Sequence, residues 1–305
     1  MRKRLTCLIL CLALGCALSA TAADPVPAPV SPVPIAAEVP AAAPAAAPAA
    51  APAATPAAAP AAAPEEVPSG DAVVCVDGVA VRDARATVVN QTTYVSLYWV
   101  TLALRPDATV AWQEDRLVAT APDFTLSAKI GSDYLAVNGR YLYLADGVRM
   151  HETGDTLVPV RTLARALGAE VTWDGAVQLK SGGKPLLSGD EFYNAGDVDL
   201  LARVIFHESG NQPFRGQLAV GNVILNRVAS PRFPSTVHDV IYQRGQFAGA
   251  ANCTPDAESI LAAKLCLDGA MVVPGAYWFN GAGRSCWASQ NKNCVTVIGG
   301  HAFYG

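Results

Sequence analysis

Glu208, in the run Ile205-Phe206-His207-Glu208-Ser209-Gly210, is the residue of this chain best placed to do chemistry. It follows Ile205 by three positions and Leu201 by seven, so in a helix its side chain leaves on the apolar, inward face. It also falls in the last turn, beside the negative end of the helix dipole. Burial and dipole both penalise the carboxylate, so Glu208 is expected to hold its proton to unusually high pH. Such a group is suited to protonate a leaving oxygen, as cleavage of a glycosidic bond requires. The alternative is a structural ion pair with Arg203 or Arg227. His207 points roughly 100° away around the helix, and Asn211 stands where an H-E-x-x-H site needs its second histidine, so a metalloprotease is excluded.

The helix that must carry Glu208 is announced by Asp197 as N-cap, by Val198, Leu201, Ala202 and Ile205 on one face, and by Gly210 and Pro213 at its end. A second helix, over 216–228, is apolar on nearly every side and reads as a central buried element, with Asn226 bonded to backbone or to Glu208. A short helix near 235–242 and one from a Thr254-Pro255 cap to Gly269 follow. The segments 275–280 and 295–298 alternate or branch like strands. The 190–305 segment is therefore expected to be mainly helical, with a small β element at its end.

Upstream, the chain changes character twice. Residues 1–23 carry Arg2, Lys3 and Arg4, an apolar run of about 14 residues and Ala20-Thr21-Ala22, the plan of an export signal too short for a comfortable membrane span. An uncleaved anchor or lipid attachment at Cys16 are the alternatives. After signal removal no integral membrane segment is expected. Residues 24–70 are almost entirely Ala, Pro and Val, with proline at every fourth position from Pro40 to Pro68; proline forbids helix and removes amide donors, so this linker is expected to stay extended. Residues 71–183 repeat themselves: Cys75-Val76-Asp77-Gly78 returns as Ala136-Val137-Asn138-Gly139, 61 residues later, and Val110-Ala111-Trp112 as Val171-Thr172-Trp173. Each copy reads as a strand, an Asp-Gly or Asn-Gly turn, further strands and a short helix, and the two tryptophans are expected to anchor cores.

The formal net charge of −4 argues against a nucleic-acid partner. Once the signal is removed, Cys75 remains with Cys253, Cys266, Cys286 and Cys294. Four clustered thiols in an exported chain suggest disulfides, here Cys253 with Cys266 and Cys286 with Cys294 on nearness in sequence, against the alternative of free buried thiols. No zinc spacing occurs, so no metal or other cofactor is expected.

Two resemblances sharpen this reading. The pairing of V-(D/N)-G with Thr156-Leu157-Val158-Pro159-Val160-Arg161 and the following Leu-Ala-Arg-Ala-Leu-Gly-Ala-Glu-Val-Thr-Trp-Asp run resembles the duplicated, stalk-type copper amine oxidase N-terminal-like domain. That resemblance implies a binding or positioning module with a wall or protein ligand, and no copper. The segment from Ala202 through Gly216-Gln217-Leu218-Ala219-Val220-Gly221-Asn222 to Ile298-Gly299-Gly300-His301-Ala302-Phe303-Tyr304 resembles the SleB-type cell wall hydrolases known from spore cortex-lytic enzymes. It implies a lysozyme-like fold, peptidoglycan as partner, and Glu208 as catalytic acid/base. Gln246, Tyr277, Asn280, His301 and Tyr304 fall in its motif blocks as candidate substrate-binding residues, with structural roles equally open to them.

The resulting expectation is a multidomain chain. An α+β duplicated stalk-type domain at 71–183 precedes a mainly helical, lysozyme-like α+β catalytic domain at 190–305, and the product is secreted or held in the cell envelope, at the cell wall or the coat–cortex region of a spore. One carboxylate in the motif suits a lytic transglycosylase, in which the muramoyl C6 hydroxyl attacks its own anomeric carbon. A muramidase would need Asp239, Asp256, Glu258 or Asp268 beside Glu208. A thiol peptidase built on a cysteine and His301 and a non-catalytic wall-binding protein are the remaining classes.

Overall fold

The computed structural model describes residues 72–305 apart from 85, 185 and 248; the expected signal and the whole linker lie outside the described residues. Strands β1 (Val74–Val76), β2 (Val79–Ala80), β3 (Ala86–Val89) and β4 (Thr92–Ser96) lead into helix α1 (Leu97–Leu104). Then come β5 (Thr109–Gln113), β6 (Arg116–Ala121), β7 (Phe124–Lys129), β8 (Tyr134–Val137), β9 (Arg140–Tyr143), β10 (Arg149–Met150) and β11 (Thr156–Pro159). Helix α2 (Val160–Leu167), β12 (Glu170–Trp173) and β13 (Val177–Lys180) complete the β-rich region.

Its strands form three sheets, ordered β12-β13-β1-β2, β10-β11-β4-β3 and β5-β6-β7-β8-β9. Strand β1 pairs in parallel with β13, joining the region's two ends, and β4 pairs antiparallel with β11, each running directly into its helix. Two hairpins turn through Asp77-Gly78 (φ 50 and 80°) and Asn138-Gly139 (φ 49 and 79°). Positive φ at both central residues is the two-residue turn whose twist matches paired strands, which is why Asp-Gly and Asn-Gly recur there.

The tryptophans depart from expectation. Trp112 is 48% and Trp173 63% exposed, so neither anchors a core. Both lie on strands at a sheet edge; period-two alternation separates two faces but does not say which face is covered.

Helix α3 (Gly189–Phe192) carries a capping box between Ser188 and Glu191 and opens the helical region. It continues with α4 (Ala195–Ser209), α5 (Phe214–Val228), α6 (Val237–Ile241), α7 (Ala257–Leu267), β14 (Trp278–Gly281), α8 (Trp287–Asn291), β15 (Cys294–Ile298) and β16 (His301–Tyr304). None of the described helices is long and apolar enough to cross a membrane. Two caps differ from expectation. Asn194, not Asp197, caps α4, accepting from the amides of Gly196 and Asp197, and Asp256, not Thr254, caps α7 through Ser259. In each case a side-chain carbonyl or carboxylate oxygen satisfies otherwise orphaned amides.

Helix α5 sits at the centre, buried from Gly216 through Ile224. A Cβ at Gly221 would lie 2.8 Å from Cys266 Sγ and 3.1 Å from Ile205 Cδ1, so glycine is what lets α5 approach α4 and α7 this closely. Cys266 is sealed in that contact, and burial pushes its thiol up to about 12. The disulfides expected from sequence are not formed: all five described cysteines are free. Cys253 Sγ donates instead to the carbonyls of Ala250 and Arg203 at 3.0 and 3.2 Å, and Cys286 Sγ caps α8 by accepting from Ser289 N at 3.4 Å. Nearness in sequence did not bring the thiols to bonding geometry.

The two regions pack together through β8 and β9, whose Tyr134, Tyr141 and Tyr143 lie against the helical core. At this junction the Asp268 side chain, 0% exposed, meets Arg140, which is 4% exposed. Arg140 Nε donates to Asp268 Oδ2 at 3.2 Å and Arg165 Nη2 to Oδ1 at 3.1 Å, while the Tyr193 hydroxyl also donates to the carboxylate.

Candidate functional site

Polar side chains on α5 hold the chain that leads from α7 to β14. Asn222 donates to the Ala270 carbonyl and accepts from Val272 N, both at 2.7 Å. Asn226 donates to Val273 O and Ala276 O at 3.0 and 2.9 Å, and Arg227 Nε to Tyr277 O at 2.8 Å. These bonds pay the desolvation of polar groups in an apolar helix and fix the chain that enters β14. Gln212 Oε1, just past α4, accepts from Gly300 N at 2.6 Å and ties the β15–β16 turn to the Glu208 end of that helix. The small sheet, ordered β14-β16-β15, is thereby set against α4 and α5.

Between them lies a cleft of about 300 Å³. Helix α4 contributes Glu208, α5 Arg227, the loop before α7 Gln246 and Phe247, β14 Trp278, Phe279 and Asn280, and β16 His301. The fold thus brings together four of the six residues singled out from sequence: Glu208, Gln246, Asn280 and His301. Tyr277 and Tyr304 do not line the cleft. Tyr277 stacks on Phe233 with ring centroids 5.7 Å apart, and Tyr304 is 7% exposed, packed among Ala288, Ala302 and Trp278.

Glu208 is half-buried and has no hydrogen-bond or ion-pair partner among the described residues. The structural ion pairs that sequence left open are both absent there. Arg203 binds Asp199 and the Cys253 carbonyl. Arg227, though in the same cleft, donates Nη1 to Gln246 Oε1 at 2.8 Å. Desolvation raises the Glu208 pKa above the ordinary carboxylate range, opposed only in part by neighbouring His207. Burial lowers Arg227 to about 10, which still leaves the guanidinium charged at neutral pH. His301 is pushed down by burial, which favours its uncharged form; its Nδ1 is buried without a partner among the described residues, and its ring meets Phe279 edge-on at 5.4 Å.

Of the described residues lining the cleft, Glu208 alone carries a carboxylate. The four acids that could have joined it are engaged elsewhere: Asp268 with Arg140, Asp256 as the α7 cap, Glu258 with the Gln217 amide at 3.2 Å, and Asp239 with His238 and Thr236. No described cysteine lines the cleft either. Sequence reading missed Arg227, Phe247, Trp278 and Phe279 as cleft residues. An arginine inside an otherwise apolar helix was a usable signal for the first, since a buried cation always needs partners; nothing local distinguished Trp278 from Tyr277.

The cleft residues other than Glu208 fall in a segment that matches a known family. Residues 211–304 match the family described as Cell Wall Hydrolase, and residues 75–179 match the Copper amine oxidase N-terminal domain. The chain therefore holds a cell wall hydrolase domain behind a copper amine oxidase N-terminal-like domain; the first match begins three residues beyond Glu208.

Among proteins similar to it is the spore cortex-lytic enzyme of Halalkalibacterium halodurans, 34% identical over 116 residues that make up 36% of this chain and 35% of that protein. The spore cortex-lytic enzyme of Oceanobacillus iheyensis is 38% identical over 72 residues, 24% of this chain and 26% of that protein. The chain thus spans about a quarter to a third of the length of these curated relatives. A solved structure, the catalytic domain of the germination-specific lytic transglycosylase SleB from Bacillus anthracis, is 29% identical and covers 39% of this chain and 100% of that chain, with a TM-score of 0.35.

Proposed function

We propose that this protein is an exported, peptidoglycan-cleaving enzyme that cuts the MurNAc–GlcNAc glycan strand as a lytic transglycosylase, with Glu208 as its single acid/base. The observation that carries the reading is Glu208 itself: unpaired, partly desolvated, raised in pKa, and the one carboxylate lining the cleft among the described residues. In the first step Glu208 donates its proton to the glycosidic oxygen as the bond to the muramoyl anomeric carbon breaks. In the second, the Glu208 carboxylate takes the proton of the muramoyl C6 hydroxyl as that oxygen bonds the same carbon. The product is a 1,6-anhydro end, no water is consumed, and the acid is regenerated. Orientation of an internal hydroxyl replaces the second carboxylate that hydrolysis calls for.

Gln246, Asn280 and His301 serve as hydrogen-bonding groups to the sugars, and Trp278 and Phe247 as apolar faces. Residues 190–305 form the catalytic unit on this reading. Residues 71–183 are a duplicated positioning module, in keeping with the shared strand–helix–strand order of β4-α1-β5 and β11-α2-β12. Residues 1–23 and 24–70 are the export signal and spacer that take the enzyme to the envelope.

The test is digestion of purified cell wall followed by mass analysis of the released fragments. Glycan pieces one water lighter than their reducing counterparts are expected from the natural chain, and at least about a hundredfold fewer from Glu208→Gln. Reducing muramoyl ends would replace the mechanism with that of a muramidase, and no release would leave a wall-binding protein.

A further inference from the structure

The acids and bases of the helical region nearly balance in number but not in space. Between residues 209 and 255 the only acid is Asp239, and between 269 and 305 there is none, whereas these stretches hold Arg215, Arg227, Arg232, Arg244, Arg284 and Lys292. Three of these cations lie against residues of the cleft wall. The Arg232 guanidinium sits 4.5 Å over the Tyr277 ring and 5.8 Å over Trp278, and Lys292 Nζ lies 4.9 Å over Trp278 and 5.6 Å over Trp287. Arg284 folds over Gly281, where a Cβ would stand 3.0 Å from its Cδ and 3.2 Å from its Nε. Among the described residues none of the three has a carboxylate partner, and Asp239 is occupied by His238.

The same rim carries a two-ring aromatic ridge. Trp278 lines the cleft, and Trp287, 59% exposed, meets it edge-on with centroids 5.6 Å apart. The exposed indole of Trp287 suits the apolar face of a sugar. Cations left without counter-charges at a cleft mouth create a positive potential that draws anions and offers charge-assisted hydrogen bonds to carboxylates. A neutral polysaccharide would gain nothing from them.

We propose that Arg232, Arg284 and Lys292, with Trp278 and Trp287, form a subsite for the acidic arm of the muramoyl residue, so that the preferred substrate is a glycan strand bearing carboxylates and not one whose muramoyl arms are neutral. This rests on the glycan-cleaving reading above. Two sources share the chemistry: the lactyl carboxylate itself and the carboxylates of a peptide attached to it.

The test uses the full chain carrying Glu208→Gln, so that binding is read without turnover. Three soluble glycan probes are compared: strands with their peptides, strands stripped by an amidase to free lactyl carboxylates, and stripped strands whose carboxylates have been coupled to methylamine. At low salt at least one acidic form is expected to bind about tenfold tighter than the methylamide form, as befits a few exposed charge-assisted contacts. The preference should shrink as salt is raised and disappear in Arg232→Gln/Arg284→Gln/Lys292→Met, whose melting temperature checks its fold. Because an attached peptide ties up the lactyl carboxyl as an amide, tight binding of the stripped form alone names the lactyl carboxylate as the source, tight binding of the peptide-bearing form alone names the peptide, and tight binding of both shows that the subsite takes either carboxylate. Equal binding of all three probes, binding of none, or a preference that the triple variant keeps overturns the subsite. Failure of the natural chain to release glycan from cell wall overturns the catalytic reading instead, and leaves the binding comparison to stand or fall separately.

Discussion

Two acids stand at the C-terminal ends of helices in the helical region, and the fold treats them oppositely. Asp268 caps α7, wholly buried, and receives Arg140, Arg165 and the Tyr193 hydroxyl. Glu208, next to last in α4, is half-buried and receives nothing from the described residues. Both face the negative end of a helix dipole. At the junction with the β-rich region that position is met by two cations and a hydroxyl, and the side chain becomes a structural tie. In the cleft the cost of that position is left uncompensated, which raises the proton affinity. The same local setting gives a tie or an acid according to what the rest of the chain brings to it.

The widest separation between the two acids is expected in activity. Glu208→Gln should lower glycan release by about 10²–10⁴-fold, the usual contribution of a general acid, with the circular dichroism and melting of the natural chain retained; Asp268→Asn should leave release by the surviving folded fraction within a few-fold. Stability should show the reverse. Arg140→Met strands a buried carboxylate and should cost about 3–5 kcal/mol, read as a lowered denaturant midpoint; a loss below about 1 kcal/mol would mean that Asp268 is not the tie described.

The pH dependence sharpens the contrast. Because the Glu208 pKa is raised in the folded state, its contribution to stability is fully present below the ordinary carboxylate range and is lost as pH rises through the raised value. Relative to Glu208→Gln, the natural chain should therefore be most stable in acid and lose ground toward neutrality, as melting temperatures at a series of pH values would record. Donation of the proton in the first step should fail over the same upper limb. The smallest effect is expected from Arg165→Gln. Arg165 touches the same Asp268 but is 47% exposed, so its loss should cost no more than about 1 kcal/mol in the same unfolding measurement.

Legibility in the sequence followed the range of the interactions. The Asn138-Gly139 turn, the apolar face of α4 and the seclusion of α5 are encoded within a few residues of where they act, and they were readable. The α4 cap was displaced by one turn because Ala195 and Gly196 carry no helix signal, although Asn194 before them satisfies the amides. Gln246, Asn280 and His301 could be named as candidates only through motif resemblance, and their convergence on Glu208 depends on bonds such as Arg227 to Tyr277 and Gln212 to Gly300, 50 and 88 residues apart. The exposure of Trp173 and the freedom of the cysteines were hidden for the same reason.

The chain by itself determined where its helices and turns form, that Glu208 leaves α4 on the inward side, and that acids are scarce around residues 209–255 and 269–305, because periodicity, capping and composition act over short spans. Only the tertiary structure decided that Asp268 would be matched by Arg140, 128 residues away, and that Glu208 would not be matched at all. Whether a carboxylate keeps its proton depends on water excluded and charges brought near, and both are properties of packed surfaces contributed by distant segments.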